Sequence, residues 1–230
     1  MRASPQTLIR LAVAAACLAA PAVVTAVPIP WSNPGGTVPG VFSWSNGQTD
    51  NGLYGSPIVA SNSFTFFPNN FRATASNGAS QTTTDRISFT LDVAPGQLFE
   101  SISVAETGDY SVTNGGTVSS TALLSVANLN GPGLASVNAS GAPSFPLVVP
   151  SDSSGIWNIS GSVQVLANGW TRVGVTLDGA VQAQAAASGT ANIEKKVGGI
   201  TITVNVPEPA LAGVAGVASV GLLVRRRRNG

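Results

Sequence analysis

The chain has 230 residues, of which only 9% are charged, with 26 glycines, 15 prolines, one cysteine and no histidine. That length suits one domain with a sizeable core, and the missing histidines exclude Ser-His-Asp and Cys-His catalysis and histidine-built zinc sites. The formal charge of +1 hides an asymmetry: between residues 27 and 206, five basic residues (Arg72, Arg86, Arg172, Lys195, Lys196) stand against nine acidic ones, a balance of −4 that lacks the electrostatic footprint of nucleic-acid binding.

Residues 1–26 have the grammar of a secretory signal peptide. Arg2 and Arg10 form a positive n-region, Leu11 to Ala20 an apolar h-region, and Val24-Thr25-Ala26 a small-residue cleavage site before Val27. The competing reading is a lipoprotein signal with Cys17 as the lipidated residue. A lipobox wants Leu three positions earlier, and this chain has Ala14 there. Removal of residues 1–26 leaves no thiol and no disulfide, so an exported domain would rely on its core and its sheet hydrogen bonds.

From residue 27 to 205 the chain reads as strands. In "RISFTLDV" the residues Ile87, Phe89, Leu91 and Val93 share one face, with Ser88, Thr90 and Asp92 on the other. The run "TLDGAVQAQAAA" continues the pattern through Val181, Ala183, Ala185 and Ala187, and "ITITVNV" through Ile200, Ile202, Val204 and Val206. Further strands are expected near 41–45, 63–67, 98–105, 109–113, 117–128, 156–166 and 170–178. About ten strands, with no internal helix, predict an all-β antiparallel sandwich or jelly roll.

The segment "GIWNISGSVQVLANGWTRVGVTLDG" predicts a hairpin. A three-residue loop, Ala167 to Gly169, places Val165 opposite Thr171 and Val163 opposite Val173, so both apolar sets share a face. Gly169 then supplies a positive φ. Trp157 falls on the inward face. Trp170 falls on the outer one, opposite Leu166. "SVTNGGTVSS" permits the same device, with Val112 opposite Val118.

Candidate functional residues are few. Glu100 and Glu106 are the carboxylates that a glycoside-hydrolase pair would use, although strand edges and turns are the commoner place for such residues. Asp50 and Asn51 offer oxygens of the kind calcium requires, but Asp50-Asn51-Gly52 reads more simply as a turn. Trp170, Trp44 and Tyr54 are the rings available as a sugar-stacking platform. Asn138 and Asn158 head N-glycosylation patterns. No metal site and no cofactor are expected, and no enzymatic activity.

The chain closes on Val206-Pro207-Glu208-Pro209, an apolar run from Ala210 to Val224, and Arg225, Arg226, Arg227 and Arg228. As a helix the run spans roughly 22 Å, short of the roughly 30 Å hydrocarbon core. The arginines would hold its end on the cytoplasmic side. These three parts, in this order, resemble a PEP-CTERM sorting signal over residues 206–230. Pro209 also suits the first turn of a helix on its own account. The resemblance implies a protein of a Gram-negative, polysaccharide-producing bacterium. It implies processing by an exosortase-type enzyme, transient anchorage in the inner membrane, and release to the surface or matrix. "GQLFESISVAETGDYSV" loosely resembles, around Gly108-Asp109-Tyr110, a domain found in many such proteins that has no established activity.

The expectation is therefore a signal helix over 1–26, a β domain over 27–205 and a sorting signal with a short transmembrane helix over 206–230. The expected role is structural or adhesive, at the cell surface or in the extracellular matrix. The alternative is a carbohydrate-binding module of the matrix polysaccharide.

Overall fold

The computed structural model describes residues 27–207. The signal segment, Glu208, Pro209, the apolar run 210–224 and the arginine cluster lie outside the described residues. So do the two terminal helices expected there. No helix among the described residues is long and apolar enough to cross a membrane.

Among the described residues fifteen strands occur in order: β1 (Ile29–Pro30), β2 (Gly36–Val38), β3 (Phe42–Thr49), β4 (Ile58–Ala60), β5 (Ser63–Phe66), β6 (Arg72–Ser76), β7 (Ser80–Val93) and β8 (Ser101–Thr113). Then come β9 (Gly116–Asn128), β10 (Leu134–Asn138), β11 (Ser140–Ala142), β12 (Leu147–Val149), β13 (Ser153–Gln164), β14 (Arg172–Ala185) and β15 (Thr190–Asn205). They form two antiparallel sheets facing each other across one core, consistent with a β-sandwich. The first runs β1-β3-β7-β14-β9-β10, with β2 on β3 and β12 on β9. The second runs β11-β13-β8-β15-β5-β4, with β6 on β15.

The count exceeds the ten expected because the sequence signal needs several alternations to register. Of the seven added strands, β1, β2, β4, β11 and β12 have three residues or fewer and β6 and β10 have five. The long strands follow the apolar alternation closely. On β7 the inward set Ile87, Phe89 and Leu91 is buried, and on β14 so is Val173, Val175, Leu177, Val181 and Ala183. Those two strands pair directly, Leu177 opposite Ile87 and Val175 opposite Phe89. The expected strands 98–105 and 109–113 are one strand, β8, which runs unbroken through Glu106.

Both expected hairpins are corrected. β13 lies in the second sheet and β14 in the first, so the segment between them crosses the sandwich. Val163 pairs with Ile102 and Val173 with Leu91 and Asn128, not with each other. The same holds for β8 and β9: Val112 pairs with Ser153 and Ala191, Val118 with Leu147 and Ala183. A hairpin that folds its apolar face onto one side and an arch that closes two sheets over a core need the same alternation. In both, the two sets point at the same interior. Gly169 has a φ of 65°, but it closes a short 3-10 turn over Leu166–Asn168 rather than a hairpin loop.

β15 carries an irregularity that decides what it buries. Ala191, Ile193 and Lys195 point inward at odd positions, then Ile200, Ile202 and Val204 at even ones. The pairing with β8 jumps from Lys195↔Gly108 to Ile200↔Glu106. A bulge that absorbs an odd number of extra residues flips the phase of a strand. Without it, one of the two apolar runs would face solvent.

Candidate functional site: a charged cluster sealed in the core

The alternation that builds the core also brings charge into it. Asp85 on β7, Glu106 on β8 and Lys195 on β15 each occupy an inward position and are buried. Glu106 and Lys195 have no exposed side-chain surface. The Lys195 ammonium donates to Oε2 of Glu106. The hydroxyl of Tyr54, also fully buried, donates to Oε1 of the same carboxylate at 3.3 Å.

Three rings enclose the ammonium. Its Nζ lies 5.0 Å from the centre of Phe71 and 5.7 Å from those of Tyr54 and Trp157. Such ring faces attract a cation. Burial nonetheless drives the Lys195 pKa below its ordinary value, against the opposing pull of Glu106. Burial also raises the Tyr54 phenol well above its usual pKa, and the nearby carboxylates of Glu106 and Asp85 add to the effect.

Asp85 holds Tyr54 in place. Its Oδ1 accepts the backbone N–H groups of Asn51 and Arg86, both at 2.8 Å. Its Oδ2 accepts those of Leu53 at 2.7 Å and Tyr54 at 3.1 Å. The carboxylate thereby satisfies three backbone N–H groups of the loop between β3 and β4, the segment read from sequence as a turn or a calcium loop. Among the described residues, no group of three or more His, Cys, Asp or Glu side chains is placed to hold a metal ion.

Above this cluster the outer face of the first sheet carries a polar cleft of about 570 Å³. Asp50, Asn51, Arg86, Asn138 and Asp178 line it, together with Asp85 and Gly179. Arg86 Nε donates to Asp178 at 2.5 Å, and both side chains are substantially exposed. Exposed pairs of this kind contribute little to stability.

The residues singled out from sequence are mostly elsewhere than expected. Trp44 and Trp170 are each 7% exposed and Tyr54 is fully buried, so none presents a ring face to solvent. The stacking platform is corrected on that ground. Trp44 packs edge-on to Phe64, with centroids 5.6 Å apart. Trp170 follows the crossing between sheets, not a hairpin turn, which is why the outward phase assigned to it fails. Glu100 is exposed just before β8 while Glu106 is sealed inside, so the two carboxylates do not converge. Trp157 is core, as expected, and its indole N–H donates to the Asp109 carbonyl at 3.3 Å. Of the sorting motif, Val206 and Pro207 are described; both are half-buried just after β15.

No protein-family model matches the chain, and no curated protein matches it significantly. The solved structures with faint likeness include two viral proteins. One is the enzymatically active domain of tailspike protein 4 of bacteriophage CBA120, at 10% identity and a TM-score of 0.16. It covers 55% of this chain, which in turn spans 19% of that one. The other is the structure of infectious bursal disease virus, Gt strain, at 14% identity and a TM-score of 0.16. It covers 80% of this chain and 57% of that one. The chain thus spans less than two thirds of either, and likeness at this level carries no argument.

Proposed function

We propose that this is a secreted structural or adhesive β-sandwich protein without enzymatic activity of its own, sorted to the cell surface or matrix by its C-terminal segment. The observation that carries this reading is where the charge sits. The groups best suited to act as acid and base, Glu106 and Lys195, are turned into the core and closed off by aromatic rings. A cluster so placed offers nothing to a dissolved substrate. The resemblance of residues 206–230 to a PEP-CTERM signal supplies the address. An exosortase-type enzyme is the processing partner, and the membrane is a temporary station.

The test follows the full-length chain through export in a host that carries an exosortase. Intact-mass analysis of surface material should show residues 1–26 and Arg225 to Arg228 removed. Purified surface protein should also adhere to the host's matrix. Recovery of the arginine cluster on surface protein would count against the sorting reading. Turnover of a matrix polysaccharide by the protein would count against the structural one.

A further inference from the structure

Lys195 and Glu106 are more than neighbours of opposite charge. An amine and a carboxyl are held in contact in a site without exposed side-chain surface, where a third group already donates to the carboxyl. We infer that the two side chains condense to an intramolecular isopeptide bond between Lys195 Nζ and Glu106 Cδ, releasing one water.

The step balances without a co-reactant. The ammonium first passes a proton to Oε2, leaving a neutral amine and a neutral acid. The nitrogen lone pair then forms the bond to Cδ, and the carbonyl electrons move onto Oε1. The Tyr54 hydroxyl faces that oxygen and stabilises its developing charge. A second proton moves from nitrogen to Oε2, the Cδ–Oε2 bond breaks, and Oε2 leaves as water with both protons. The carbonyl re-forms, and the third ammonium proton remains as the amide N–H.

Three features favour the product. First, the reactants are held by strands β8 and β15, which pair along their length, so the encounter is already made by folding. Second, a buried ion pair carries a desolvation penalty for both charges, which a neutral amide does not. Third, Phe71, Tyr54 and Trp157 surround the amine, and a site that excludes water disfavours hydrolysis. Burial also lowers the pKa of the Lys195 ammonium, which favours the nucleophilic amine. The chemistry needs only the folded domain and does not depend on what the protein binds.

The experiment is mass spectrometry of the folded, soluble full-length chain, denatured and digested with trypsin. The expected result is an intact mass one water below that of the sequence. Cleavage after Lys195 should be lost, and the peptide containing Glu106 should be joined to the one containing Lys195. Glu106→Ala should restore the full mass. Tyr54→Phe should slow the appearance of the cross-link in freshly refolded protein. The wild-type chain decides the matter even if a variant fails to fold. Full mass and normal cleavage after Lys195 in aged, folded protein would overturn the inference, as would a water lost at any other pair of residues.

Discussion

The hydroxyl of Tyr54 occupies the space that a side chain at residue 179 would need. A Cβ built on Gly179 would lie 1.9 Å from that oxygen and 3.3 Å from Lys195 Nζ. Gly179 sits at an inward position of β14, between the buried Leu177 and Val181. The missing methyl is what lets a phenol from a loop reach across to a carboxylate on the opposite sheet.

Gly179→Ala should therefore displace Tyr54 rather than simply fill a void. Overpacking of a close-packed core costs about 1–3 kcal/mol. A lowered urea midpoint with an unchanged m-value would show it. Equal stability in the variant would mean that the ring has room to withdraw.

Tyr54 also sets a limit at high pH. Its pKa is raised in the folded protein, chiefly by burial and then by Glu106. Between the unfolded value, about 10, and the higher folded value, the folded state binds more protons than the unfolded chain. Stability contributed by the phenol is thus fully present below about pH 10 and is lost as pH rises further. Lys195, where it is still a free amine, acts in the opposite sense: its folded pKa is lowered, so stability rises with pH up to the ordinary lysine range. Urea midpoints across this region should fall at the alkaline end. In Tyr54→Phe that fall should shrink.

The two tryptophans should respond alike. Trp157 is fully buried and Trp170 nearly so, and truncating a buried aromatic to Ala costs about 3–5 kcal/mol. Both Trp157→Ala and Trp170→Ala should cost in that range in denaturant titrations. A Trp170→Ala chain as stable as wild type would contradict the burial.

Gly169 tests conformation without packing. Nothing lies within 4 Å of the Cβ position there, and φ is 65°. Gly169→Val should be destabilising by about 1–3 kcal/mol through backbone strain alone. Gly169→Asn should cost less, because Asn tolerates the left-handed region. Thermal melts of the pair would separate strain from crowding.

Much of the architecture was legible because period-2 alternation is a local signal. Ile87, Phe89, Leu91, Val173, Val175 and Leu177 declare their face within their own strands. Partnership between strands is a non-local property. Nothing in "VQVLANGWTRV" distinguishes a hairpin from an arch, since Val163 and Val173 point at one interior in both cases. The charged cluster carried a partial signal. Asp85 falls two residues before Ile87, and Glu106 two after Val104, so both continue an inward phase as polar residues. Reading β8 as two strands hid Glu106 in the gap. Lys195 was out of reach, because extrapolating back from Ile200 gives the wrong phase until the bulge is known. Trp170 was misplaced for a related reason: a phase counted through a crossing segment has no meaning.

The last strand among the described residues is not at an edge. β15 lies between β8 and β5 in the middle of its sheet and also receives β6. It supplies Ile193, Lys195, Ile200, Ile202 and Val204 to the core. A chain emerging from its N-terminus therefore cannot complete the domain piecemeal. Until residues 190–205 arrive, the second sheet is split, β8 lacks one partner, and Glu106 has no amine to meet. Non-local pairings of this kind form slowly. Final folding must await residues 190–205, the ones just before Val206 and Pro207, so the core closes only when nearly all of the described chain has emerged.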